Sequence, residues 1–126
     1  MKTKSLTFLL ALTFLFMFSG SSVVFADDLK DGWDALGRKD YKTAHKFWLP
    51  LAEQGYTPAQ SNLGSLYSNG QGVPRDYVSA HMWFNLSGSN GYKDSVINRT
   101  IVELRMSPSQ IEKAQELARN WKPKNK

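Results

Sequence analysis

The 126-residue chain contains no cysteine. Disulfides, a thiol nucleophile and a lipidated cysteine are therefore excluded, and packing alone must hold the fold. Histidine is nearly absent too. The only two, His45 and His81, lie 36 residues apart. Histidine zinc sites use closely spaced pairs, so these two read as equivalent positions of a repeat, with no metal expected. Neither Gly-x-Ser-x-Gly nor Ser-x-x-Lys occurs after residue 26, which removes two common serine-nucleophile signatures. Glu53, Glu103, Glu112 and Glu116 are expected on wet helix faces, where carboxylates keep ordinary acidity. The chain reads as a non-enzyme without a cofactor.

The one long apolar run is amino-terminal. Lys2 and Lys4 precede Leu6–Phe18, and Gly20, Ser21 and Ser22 lead to Val24-Phe25-Ala26. That is the order of a secretory signal. A spanning helix needs roughly 20 apolar residues, more than this run supplies. Cleavage after Ala26 is expected, giving a periplasmic or secreted protein with a domain over residues 27–121 and a basic tail, 122–126. The formal charge of +5 falls to +3 after Ala26, because the leader holds two lysines and no acid. Such a modest excess argues against nucleic acid, which needs many cationic phosphate contacts. Arg119, Lys122, Lys124 and Lys126 leave room for weak contact with anionic polymer or lipid.

What the chain does have is internal repetition. Tyr41, Ala44, His45, Gly55 and Tyr56 recur 36 residues later as Tyr77, Ala80, His81, Gly91 and Tyr92. Phe47-Trp48 recurs as Trp83-Phe84. A period of this length signals stacked supersecondary units, as in a solenoid.

Each unit reads as two helices. Asp40 and Asp76 are placed to cap helices by accepting from orphan N–H groups. Tyr41, Ala44, Phe47, Trp48, Leu51 and Ala52 then recur at helical steps, as do Tyr77, Ala80, Trp83, Phe84 and Ser87. Pro50 should kink or loosen its helix, and Gly55 and Gly91 should end theirs in the left-handed region. A helix over 58–69 should bury Ala59, Leu63, Leu66 and Tyr67, stopped by the turn-forming run 69–74. Further helices are expected over 28–38 and over 93–105, the latter with Val96, Ile97, Ile101 and Leu104 inward. Ser107-Pro108-Ser109-Gln110 is a capping box opening a last helix, 108–121, with Ile111, Ala114, Leu117, Ala118 and Trp121 on one face. The expectation is an all-α, right-handed solenoid of about three antiparallel helix pairs.

Ala59-Gln60, Leu63-Gly64, Tyr67, Gly70, Gly72-Val73, Asp76, Ala80, Trp83-Phe84 and Gly91 resemble the Sel1-like repeat, a cousin of the tetratricopeptide repeat. The stretch Gly70 to Tyr77 is the most specific part. The chain departs from the pattern at Leu51-Ala52, at Ser87-Gly88, and in the short loop after Arg38. The resemblance implies an adaptor that binds partner proteins in the bacterial envelope.

For the binding surface, Ser61, Ser65 and Ser68 form a polar row opposite Leu63, Leu66 and Tyr67. With Trp33 and Leu36 they are the candidate site, a groove for a partner peptide or helix. Trp48, Trp83 and Trp121 read as core, whereas Trp33, beside Gly32, is the candidate aromatic anchor. A binder of cell-wall glycan or anionic envelope polymer, through Trp33 and the basic tail, is the alternative. A small envelope enzyme comes third.

Overall fold

The computed structural model describes residues 26–124. The leader, residues 1–25, and the last two tail residues lie outside the described part, as does all but the last residue of the expected signal. Among the described residues there are six helices and no strand. We label them α1 (26–37), α2 (Tyr41–Glu53), α3 (Thr57–Asn69), α4 (Tyr77–Ser89), α5 (Lys93–Glu103) and α6 (Pro108–Asn120). Helices this short are marginal alone in water, so their stability must come from the faces they bury. α3 packs on α2 and α4, α5 on α4, and α6 on α4. The result is an α-solenoid with α1, α3 and α5 as one set of equivalent helices and α2, α4 and α6 as the other.

The caps follow from the sequence. Asp40 Oδ1 accepts from the Thr43 backbone N–H and its Oδ2 from the Thr43 hydroxyl. Asp76 does the same with Ser79, 36 residues on. The Ser107 capping box closes in both directions, Gln110 N–H to Ser107 Oγ and Ser107 N–H to Gln110 Oε1. Gly55 and Gly91 both take φ 94°. α2 continues past Pro50 to Glu53, and the Gln54 N–H still reaches the Pro50 carbonyl at 3.2 Å.

Two buried clusters run along the array. The larger joins Ala35, Ala44, Trp48, Leu51, Ala52, Ala59, Leu63, Leu66 and Trp83. The smaller joins Ala80, Phe84 and Val102. Trp48 and Phe84 are repeat equivalents, and each lies against a glycine. A Cβ on Gly32 would stand 2.0 Å from Trp48 Nε1, and one on Gly64 would stand 2.5 Å from Phe84 Cε1. These glycines let the helices approach until a ring fills the gap. They are 32 residues apart where the rings are 36 apart, because three residues separate α1 from α2 and seven separate α3 from α4. The longer connection carries Gly72 at φ 73°, pressed to within 2.6 Å of the Tyr41 carbonyl carbon for any added Cβ.

The structure corrects the reading of α5. Val96 reaches Gly88 of α4 while still 39% exposed, but Ile97, Ile101 and Leu104 do not point inward. Ile97 is 59% exposed, Ile101 56% and Leu104 81%. The buried side of α5 is Ser95 and Val102. Periodicity shows that an apolar stripe exists; only a neighbouring helix buries it, and no described helix lies over this one. Leu117 on α6 is 42% exposed for the same reason. Glu103 is only partly wet: its side chain is 33% exposed, and it pairs with the fully buried His81. The tail turns back, with the Lys124 N–H donating to the Glu53 carbonyl at 2.7 Å and Lys124 Nζ 3.0 Å from Glu53 Oε2.

Candidate binding surface

Trp33, Leu36 and Ser65 come together. They line a cleft of about 220 Å³ between α1 and α3, with Trp48, Asn62, Leu66, Asn69 and Gln71. The connections explain why. The three-residue link from α1 to α2 and the glycine contacts set α1 beside α3 with these side chains converging. Trp33 is 50% exposed and meets the buried Trp48 edge to face, ring centroids 5.3 Å apart. Trp48 is in turn fixed by donating Nε1–H to the Leu29 carbonyl at 3.2 Å. Half-exposed aromatics held by a rigid neighbour are the kind of side chain that anchors partners. Beneath the opening, Asn62 Nδ2 is buried without a hydrogen-bond partner among the described residues.

The serine row is split. Ser65 lines this cleft, and Ser68 lines a second one. Ser61 lies in neither and is only 7% exposed. Ser65 Oγ donates to the Ser61 carbonyl and Ser68 Oγ to the Ser65 carbonyl. Their hydroxyl hydrogens are thus turned onto their own helix, which leaves oxygen lone pairs to face outward.

The second cleft, about 270 Å³, lies between α3 and α5 and is lined by Ser68, Asn69, Arg75, Tyr77, Ile101, Val102 and Arg105. It is the repeat counterpart of the first. Ser65, Leu66 and Asn69 of one become Ile101, Val102 and Arg105 of the other, each 36 residues later. Leu36 becomes Ser68 at the 32-residue offset of the glycines. Two arginines and no acid line it. Arg75 lies over the Tyr77 ring, 6.0 Å from its centroid.

Sequence reasoning missed Asn62, Asn69, Gln71, Arg75 and Arg105. The 36-residue offset linking Asn69 to Arg105 was available, but nothing in a helical pattern tells a groove from any other polar face. The histidines have protein partners. His45 Nε2 is 3.2 Å from Tyr67 Oη and His81 Nε2 is 2.8 Å from Glu103 Oε1. Burial lowers the His45 pKa, with the Glu53 charge acting weakly against it. Burial likewise raises that of Tyr67, helped by the charges of Asp76 and Glu53. No group of three or more potential metal ligands occurs among the described residues.

Comparison with known proteins agrees with this architecture. The Sel1 repeat family pattern matches residues 31–56 and 57–92. Curated protein sequences give no match. Among solved structures, the chain is similar to the crystal structure of c5321, described as a protective antigen present in uropathogenic Escherichia coli strains displaying an SLR fold. The TM-score is 0.71 at 33% identity, over 77% of this chain and 22% of that one. The chain thus spans about a fifth of the length of that relative. Two matched repeats, the recurring glycine–aromatic contacts and the stacked helix pairs make this chain a member of the Sel1-like repeat proteins.

Proposed function

We propose that this protein is an exported adaptor of the bacterial envelope that binds a partner peptide or helix in the cleft between α1 and α3. The observation that carries the reading is Trp33, half exposed over a buried Trp48 at the mouth of a cleft floored by Asn62, Asn69 and Gln71. An aromatic anchor flanked by amide groups suits a peptide, whose apolar side chain takes the ring face and whose backbone takes the amides. Sel1 repeats generally serve protein–protein interaction, and the chain is read as a scaffold without catalytic activity. The export step rests on the order of charged, apolar and small residues in the leader. Contact with a glycan or anionic polymer through the basic tail has less support, because Lys124 already pairs with Glu53.

The test is affinity capture from detergent-solubilised envelope extract at low and physiological salt. Control baits are Trp33→Ala and Ser65→Arg, both at positions lining the cleft. A protein held by the parent at both salts, and lost with either variant, supports the reading. Material held equally by all three baits, or only at low salt, overturns it.

A further inference from the structure

The two ends of the array differ in charge and in exposed apolar surface. Leu29, Trp33 and Leu36 on α1, Ser61, Ser65 and Ser68 on α3, and Ile97, Ile101 and Leu104 on α5 occupy equivalent rows, related by the offsets 32 and 36. On α1 and α3 the row is at least partly covered apart from Trp33; on α5 it stands bare. Leu117 of α6 is exposed at the same end of the chain.

Charge sorts the ends further. Residues 26–37 carry Asp27, Asp28, Asp31 and Asp34 against Lys30 alone. Residues 93–124 carry seven lysines and arginines against four acids. Lys30 is paired with Asp34 at 2.8 Å and also feels the charges of Asp31 and Asp27, so one cation faces four aspartates and this end stays net negative. Two α1 ends repel one another, and so do two α5–α6 ends; only unlike ends attract.

We propose that two copies of this chain stack head to tail, α1 of one copy against α5 and α6 of the next. The contact continues the packing that the chain already makes internally. α3 lies beside α1 with Ser65 near Trp33 and Leu36 around one cleft. Placing an incoming α1 on α5 in that register sets its Trp33 against Ile101 and Leu104. Its aspartates then approach Arg105 and the cations of α6. The interface is heterologous, so it propagates instead of closing as a two-fold dimer. It shares Trp33 with the groove reading, but the two positions used to test it, Leu104 and Asp31, do not line the α1–α3 cleft.

Sedimentation of the purified protein over a range of concentrations tests it. The expected result is a mass that climbs past the dimer with concentration and falls back in 0.5 M salt. Leu104→Asp spoils the tail and Asp31→Lys the head. Both positions are exposed, so each variant should melt like the parent. Each alone should need at least tenfold higher concentration to associate. Mixed, they should form a one-to-one dimer and nothing larger, because one keeps its head and the other its tail. A parent that stays monomeric, a dimer that plateaus and ignores Asp31→Lys, or a mixture that stays monomeric would each overturn the proposal. Partner capture by the Leu104→Asp bait reports on the groove separately.

Discussion

Glu103 Oε1 lies 2.8 Å from Nε2 of the fully buried His81, and 36 residues earlier Tyr67 Oη makes the same contact to His45 at 3.2 Å. One helix pair therefore uses a carboxylate where the preceding pair uses a phenol. Removing the partner leaves a buried ring nitrogen unsatisfied, at a cost of about 1–3 kcal/mol. Chemical denaturation of Glu103→Ala should show a loss in that range. Glu103→Tyr, which copies the preceding repeat, should lose less. No loss in Glu103→Ala would mean that the contact adds nothing, and equal losses would mean that a phenol cannot replace the carboxylate here.

His45 should titrate below an ordinary histidine. Burial disfavours its charged form, and the nearby Glu53 opposes this only in part. The unfolded chain then binds the proton first as pH falls, so stability drops through about pH 6.5 and levels off below the folded pKa. NMR titration should place the His45 midpoint under 6.5. His45→Gln should flatten the stability slope between about pH 7 and 5. A midpoint at or above 6.5 would show that the ring is not desolvated as the structure has it.

Two glycines should respond in opposite ways to one substitution. Gly64→Ala forces a methyl to 2.5 Å from the Phe84 ring, and overpacking of this kind costs about 1–3 kcal/mol. Gly37 ends α1 with nothing within 4 Å of its Cβ position. There alanine should gain up to about 1 kcal/mol from helix propensity and a less flexible unfolded chain. Urea unfolding of the two variants should give shifts of opposite sign. Phe84→Leu combined with Gly64→Ala should recover part of the loss.

What could be read from the chain, and what could not, divides along a physical line. Asp40, Asp76 and Ser107 cap where expected because a cap is a local event among four residues. The 36-residue period fixed the order of the helices for the same reason, since Trp48 and Phe84 are equivalent in sequence and in space. The direction of the α5 stripe was not legible. Ile97, Ile101 and Leu104 form a proper apolar face, and burial depends on a neighbour that a pattern cannot supply. The cleft was half legible: Trp33, Leu36 and Ser65 converge, whereas Ser61 is buried and Asn62 lay unnoticed among apolar positions. Gln60, whose burial no helical pattern of apolar residues signals, is fully buried and donates to the Ala52 carbonyl at 3.2 Å.

The tail should matter more through its ring than through its charge. Trp121 meets Trp83 edge to face at 6.4 Å between centroids and comes within 3.7 Å of a Cβ position on Gly55. It thereby ties the end of α6 to α4 and to the turn after α2. Lys124 adds an ion pair to Glu53, but its side chain is largely exposed, and such pairs contribute about 0–1 kcal/mol. A half-buried tryptophan in an edge-on aromatic pair is worth more, about 1–3 kcal/mol from its buried area and the ring contact together. Thermal melts should therefore rank Trp121→Ala well below the parent and Lys124→Ala close to it. Salt should narrow only the second difference. If Lys124→Ala proved the more damaging, the backbone bond from Lys124 to the Glu53 carbonyl would have to depend on that charge, and the ring contact would be incidental.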